Sequence, residues 1–435
     1  MTDAAITPTV PGAKEAARAD RLRAGLKRRY ARERRFKLYG LLAIGLAVGF
    51  LLLLLGRIFE QGHTAFYAHT VTTPVYMDPA RVDRAYPQGT NFELLVAEQQ
   101  LARLGVQDDV SGTKATAMRG LFSSELKFIA AERVRQQPEL IGQTTPIAAP
   151  LSDDADLYFK GEISRDTPAE QRRLSDEQID WLDRMKADGM VASHFNSALF
   201  TKGDSTEPEL AGVLGAVIGS ALMLLVTALI ALPLGVGAAL YLEEFAPKGR
   251  ITNLIEVNIN NLAAVPSIIY GLLGLALFIN WMHLPRASPL VGGLVLALMA
   301  LPTIIIATRS SLKAVPPSIR EAALAMGASK TQTVFHHTLP LAMPGVMTGA
   351  IISMAHALGE TAPLLLIGMV SFVPGIPHGL AEPTGALPSL IYIWENASER
   401  AFHERTAAAI IVLLAFMIIM NAAAVLLRRR FERRW

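Results

Sequence analysis

No cysteine occurs among the 435 residues. Disulfides, thiolate-bound metals, iron–sulfur clusters and a cysteine nucleophile are therefore excluded. Compartment stays open, because a chain without thiols suits either side of a membrane. Charge is also scarce. Charged residues make up 18% of the chain and hydrophobic residues 51%, with a net charge of +3. Those proportions point away from an ordinary soluble protein and toward several apolar spans. The signatures of catalysis are missing as well. No Gly-x4-Gly-Lys-Ser/Thr is present and no lysine follows a glycine, so there is no Walker-type phosphate loop. His-Glu-x-x-His, a nucleophile elbow and a dinucleotide fingerprint are absent too. The expectation is a chain that is not an enzyme on its own, with no cofactor or metal site, whose energy comes from a partner.

What is present is segregated along the chain. Residues 1–37 form a polar tail, densely basic from Arg18 to Lys37. Leu38 to Leu55 is almost unbroken apolar sequence, and Arg57 and Glu60 follow where a signal peptide would carry a small-residue cleavage site. Residues 38–59 therefore read as an uncleaved transmembrane helix, long enough for ~30 Å of hydrocarbon.

Residues 60–209 contain no further span and are acidic, with 24 Asp and Glu against 15 Lys and Arg. Helix signals recur there. Asn91–Leu104 is stopped by Gly105, and Thr167-Pro168-Ala169-Glu170 has capping-box form. Ser175 and Gln178 repeat the box ahead of Ile179, Leu182 and Met185, with Gly189 as a stop. A small, mostly helical domain is expected. Five more spans fall near 211–241, 254–279, 289–311, 343–370 and 406–427 in the region 210–427. The first of these is long and contains Pro233, so it is expected to kink or to begin outside the bilayer, and Pro266 and Pro363 fall in the 254–279 and 343–370 spans. Residues 428–435 form a second basic tail.

Short segments rich in Lys and Arg stay in the cytoplasm. Six spans put both basic tails on that side, with the acidic 60–209 segment outside. The loop 313–340, with Lys313, Arg320 and Lys330, then lies inside. Basic tails also suit anionic lipid or nucleic acid. Beside a span, topology explains them, so membrane lipid is an expected partner and nucleic acid is not.

That inner loop carries the most specific pattern. Arg320-Glu321-Ala322-Ala323-Leu324-Ala325-Met326-Gly327 is a run of helix formers ended by glycine. After nine residues comes His337-Thr338-Leu339-Pro340, read as a second short helix stopped at proline. The small side chains of Ala322, Ala323 and Ala325 allow close approach by another surface, and Glu321 adds a carboxylate at its rim.

Glu-Ala-Ala-x3-Gly-x9-Ile-x-Leu-Pro is the mark of the membrane permeases of bacterial ABC importers, which this chain resembles. Glu321, Ala322, Ala323, Gly327, Leu339 and Pro340 match, while His337 stands where Ile or Val is usual. Leu242–Phe245, Val265–Leu272, Gly359–Leu365 and Ala386-Leu387-Pro388 narrow the resemblance to PstA-type permeases of the high-affinity phosphate importer, over about residues 205–430. The external insertion resembles a subset of these. The resemblance implies an all-α, MetI-like core in the inner membrane and docking of the 313–340 loop into an ATPase subunit. It also implies a second permease subunit, two cytoplasmic ATPase subunits that hold ATP and magnesium, and a periplasmic phosphate-binding protein. The mechanism implied is alternating access.

Within the spans, Glu360 stands out, since a carboxylate in hydrocarbon costs roughly 2.5–3.5 kcal/mol on insertion scales and faces protein or water. His356 lies one turn earlier, where similar permeases commonly carry Arg. A translocation or gating role and a structural tie to the partner permease both remain open for Glu360. Arg309 reads as a snorkelling anchor or as a contact for the departing anion. Ser267 and Thr361 are hydroxyl donors beside the helix breaks at Pro266 and Pro363, or else bond their own helices. Permeases for phosphonate, sulfate or molybdate, and a membrane signalling protein, are the alternative functions.

Overall fold

The computed structural model describes residues 13–106, 112–168 and 172–431. The chain divides into two units, one ending at Phe59 and one beginning at Glu60. Helix α1 (Ala13–Gly62) accounts for the described part of the first. Its Leu41, Leu42, Phe50, Leu52 and Leu53 are all exposed. An apolar surface of that size is stable in hydrocarbon rather than in water.

The 60–209 segment folds as β1 (Tyr67–Tyr76), α2 (Phe92–Arg103), α3 (Thr113–Arg119), α4 (Glu125–Gln136), β2 (Thr144–Pro150), α5 (Asp153–Lys160), α6 (Asp176–Ala187), β3 (Val191–Phe195) and α7 (Ala198–Thr201). The helix punctuation holds. Asn91 Oδ1 accepts the Leu94 N–H at 3.1 Å to start α2, and Gly105 ends that turn at φ +75°. Ser175 and Gln178 close a reciprocal capping box on α6, and Gly189 adopts φ +72°. The Thr167–Glu170 box runs into residues 169–171, outside the described residues.

The expectation of a mostly helical domain missed a three-stranded antiparallel sheet of order β2-β1-β3. Val71, Thr73 and Val75 alternate inward along β1, but Pro74, Pro146 and Pro150 read as breakers. They are tolerated because Pro74 faces Pro146 across the ladder, while β3 pairs only with Tyr67–Val71. Neither missing N–H removes a bond the sheet needs. The sheet packs on Phe92, Leu101, Met118, Leu126, Ile179 and Leu182.

The remaining helices are α8 (Leu214–Leu240), α9 (Arg250–Ala263), α10 (Ser267–Gly274), α11 (Pro289–Ala314), α12 (Pro317–Ala325), α13 (Lys330–Gln332), α14 (Leu339–Gly359), α15 (Ala362–Leu366), α16 (Leu387–Glu395) and α17 (Ala401–Phe431). Wide π turns extend α8 over Tyr241–Phe245, follow α10 over Leu275–Trp281 and join α13 to α14 over Thr333–Thr338. Small residues set the spacing between membrane helices. A Cβ on Gly293 of α11 would fall 2.5 Å from Val226 of α8, and one on Gly349 of α14 2.2 Å from Ala307 of α11.

Among the described residues, five stretches are long and apolar enough to cross a membrane: Arg29–Phe66, Leu214–Phe245, Pro289–Ala314, Lys330–Gly359 and Ala401–Arg430. The span expected at 254–279 is a pair of helices, α9 and α10, bent by 99°, and it makes a sixth crossing where the pair counts as one broken span. Pro266, with φ −55° and ψ 138°, takes the chain out of helix there. The span expected at 343–370 stops at Gly359, because Glu360 is already extended. The core is all-α, and the sheet is confined to the insertion.

Candidate coupling site and membrane breaks

The 313–340 loop is held rigidly. Pro317 sits in the first turn of α12, where a missing N–H costs nothing. Three residues on, the Arg320 guanidinium grips Glu244 of the π turn after α8, with Nη2–Oε1 at 2.6 Å and Nε–Oε1 at 3.1 Å. The same side chain donates Nη1–H to the Val315 carbonyl (2.9 Å) and Nη2–H to the Leu312 carbonyl (2.8 Å) at the end of α11. The Leu312 carbonyl also accepts the Val315 N–H at 3.2 Å, so one arginine reinforces the closed end of α11, anchors α12 and ties both to α8.

Beside it, Arg309 contacts Glu243 (3.4 Å) and Glu256 of α9 (2.5 Å), and Lys313 lies 3.6 Å from Glu243. Two carboxylates hold Arg309 in the protein. The sequence held only a coarse hint of this cluster, Glu243-Glu244 closing an apolar span.

Of the coupling pattern, Ala323 faces inward, while Glu321, Ala322, Leu324, Ala325 and Gly327 are exposed and Met326 is 88% exposed. Exposed Leu324 and Met326 make the knob more apolar than its alanines suggested. Gly327, at φ +88°, ends α12 with the Ala328 N–H on Ala323 O (3.1 Å) and its own N–H on Leu324 O (3.0 Å). That is the Schellman closure, and it needs a left-handed residue. A Cβ at Gly327 would meet open space, so the constraint is backbone conformation rather than room.

A capping box of Ser329 and Gln332 starts the next helix. It does not stop at Pro340. The π turn Thr333–Thr338 widens the coil just before it, and Pro340 occupies the first turn of α14. The loop thus runs directly into a membrane helix. Leu339 packs into the apolar cluster of Leu312, Val315 and Val334.

The membrane breaks converge. Past the end of α14, Glu360 Oε1 lies 3.2 Å from His356 Nε2, with His356 67% exposed and Glu360 largely covered. The Thr361 carbonyl accepts the Leu364 and Leu365 N–H groups at 3.0 and 3.1 Å. Pro363 lies in the first turn of α15 and so does not interrupt a span. Ser267 opens α10 directly after Pro266. One turn later, a Cβ on Gly271 would fall 2.7 Å from the Pro363 Cα. The two proline breaks, found separately in the sequence, sit on helices packed backbone to backbone at that glycine. Arg309 belongs to the separate cluster at the ends of α8, α9 and α11. Among the described residues, no group of three or more His, Asp or Glu side chains is placed to hold a metal.

The long apolar helices make a multi-pass membrane bundle, in which the 313–340 loop presents an exposed knob and runs straight into a membrane helix. Residues 231–434 match the family described as binding-protein-dependent transport system inner membrane component, and residues 23–169 match a domain of unknown function, DUF3333. The chain belongs to the ABC transporter permeases, among their PstA-type members.

Its relatives include the probable ABC transporter permease YqgI of Bacillus subtilis, 35% identical over 35% of this chain and 52% of that protein. YqgH of the same organism is 31% identical over 48% and 68%. The phosphate transport system permease PstA of Haemophilus influenzae is 33% identical over 45% and 67%. The chain thus spans about half the length of the first of these. Among solved structures, the MetNI methionine ABC transporter matches at 21% identity and a TM-score of 0.39, over 51% of this chain and 95% of that one.

Proposed function

We propose that the chain is a permease subunit of an ATP-driven phosphate importer, forming the translocation path with a second permease. The observation that carries this reading is the α12 knob, with exposed Glu321, Ala322, Leu324 and Met326 held by Arg320 to the inner ends of α8 and α11. A surface fixed at that many points transmits a push instead of absorbing it. Two cytoplasmic ATPase subunits, which hold ATP and magnesium, dock on the 313–340 loop. Both basic tails lie in the cytoplasm and residues 60–209 outside, where a phosphate-binding protein delivers the anion. Phosphate as substrate rests on the PstA relatives.

Glu360 and His356 are assigned to the path or its gate, with Ser267 and Thr361 beside the breaks that let it move. The two side chains lie 3.2 Å apart within one chain. The breaks support this assignment, because irregular backbone at membrane depth is tolerated where it lines a cavity or is buried in protein. The test is co-purification of the complex, followed by ATPase and labelled-phosphate uptake in vesicles with and without the binding protein. Phosphate-dependent stimulation and uptake competed by phosphate alone are expected. Preferential competition by phosphonate, sulfate or molybdate would reassign the substrate. A stable complex that never transports would make the chain a signalling component.

A further inference from the structure

The insertion carries a buried ionic chain that neither the coupling loop nor the membrane breaks use. It begins in the sheet, where the His69 N–H and Nδ1 both lie 2.9 Å from Asp156 Oδ1 of α5. Asp156 Oδ2 is 2.7 Å from Lys160 Nζ, one helical turn on. Lys160 then crosses to the membrane core, with Nζ 2.6 Å from Glu404 Oε1 in the first turn of α17. The other oxygen, Glu404 Oε2, accepts the Thr64 hydroxyl at 2.9 Å, in the segment that leads into β1.

The bridge is enclosed, with Lys160 3% and Glu404 7% exposed. Next to Glu404, buried Arg405 donates to the Ala211 carbonyl at 2.8 Å, just before α8. Leu157, Ile163 and Ala401 form an apolar patch along the same seam. Burial alone would raise the Asp156 carboxyl, but the His69 and Lys160 donors outweigh it and hold it below the usual carboxylate range. A surface loop tolerated at random does not need five charged or donor groups converging in one largely buried seam. Such groups are expensive to bury unless each is partnered, and an ion pair of this kind fixes geometry more than it adds stability.

We propose that Lys160 is a positioning residue for the last membrane helix: through Glu404 it fastens the insertion to the outer end of α17, so that the two move as one body during transport. The insertion is then a lever on α17. This proposal rests on the transport reading above, and its first test is chosen to be independent of transport.

Because the chain has no cysteine, paired labels are unique. Spin labels at Asp188→Cys, exposed at the end of α6, and His403→Cys, exposed in the first turn of α17, report the distance between lever and helix in the assembled complex. The distance is expected to stay constant, within label uncertainty, between nucleotide-free and ATP-trapped states. A shift of about 5 Å or more would overturn the proposal whether or not phosphate is the substrate.

The second test compares Lys160→Met and Lys160→Arg in complexes shown to assemble. Lys160→Met is expected to leave basal ATPase unchanged and to lower the stimulation by the phosphate-loaded binding protein about fivefold, while Lys160→Arg keeps most of it. Equal stimulation in all three proteins would reduce Lys160 to a stability residue. Should Lys160→Met fail to assemble, the distance measurement on the lysine-containing chain still decides.

Discussion

At the scale of single residues, the two that matter most differ in how legible they were. Gly327 was readable because a glycine after a run of helix formers has one physical meaning, a left-handed closing residue, and φ +88° is what it adopts. Arg320 was not, because its role is set by a carboxylate 76 residues earlier and by carbonyls that only the fold brings within reach. Arg320→Ala leaves Glu244 buried without its cation, a loss of about 3 kcal/mol by comparison with other broken buried pairs. Thermal unfolding of the purified complex should show it. Arg320→Lys should recover only part, since an ammonium cannot match the two-pronged contact. An Arg320→Ala complex with unaltered melting and uptake would contradict the anchoring role. Glu360→Gln is expected to cut uptake about tenfold, or about 1.4 kcal/mol in the limiting step, in complexes that assemble normally. Uptake equal to wild type would leave the Glu360–His356 pair a structural tie.

At the scale of elements, helix starts and stops were legible from the sequence because caps are local chemistry. Ser175→Ala removes half of the α6 capping box and should lower the stability of the insertion by about 1 kcal/mol, measured by denaturant titration. What could not be read was pairing over distance. The β1–β2 ladder joins residues about 75 apart across three prolines, and the α10–α15 approach joins two breaks about 100 apart. Proline was read as a break, but its effect depends on position: Pro233 lies inside an unbroken α8, Pro340 and Pro363 begin helices, and Pro266 separates two.

The insertion should also respond to pH. Burial pushes Asp154 up to about 6 and Glu209 up to about 7, with neighbouring carboxylates adding to the effect. Both groups bind protons in the folded state that they release when unfolded, so stability falls as pH rises from the ordinary carboxylate range through those values. Melting of the complex should therefore be higher near pH 5.5 than near pH 8. The opposite order would mean that these carboxyls are solvated in the assembly.

At the scale of the whole molecule, the near-neutral charge hid a separation that the fold makes physical. The sequence separates an acidic insertion, long apolar helices and basic ends. The 313–340 loop is organised around the α12 knob, fixed by Arg320 and closed by Gly327, running through a π turn into α14. The central claim is that this knob carries the force of ATP hydrolysis into the membrane. It is tested most directly by measuring ATP hydrolysis and phosphate uptake together in vesicles containing the assembled complex with Gly327→Trp. That position has open space for a side chain but a backbone that resists one. The expected result is hydrolysis that persists while uptake falls at least about tenfold. Uptake that keeps pace with hydrolysis, as in the wild type, would contradict the claim.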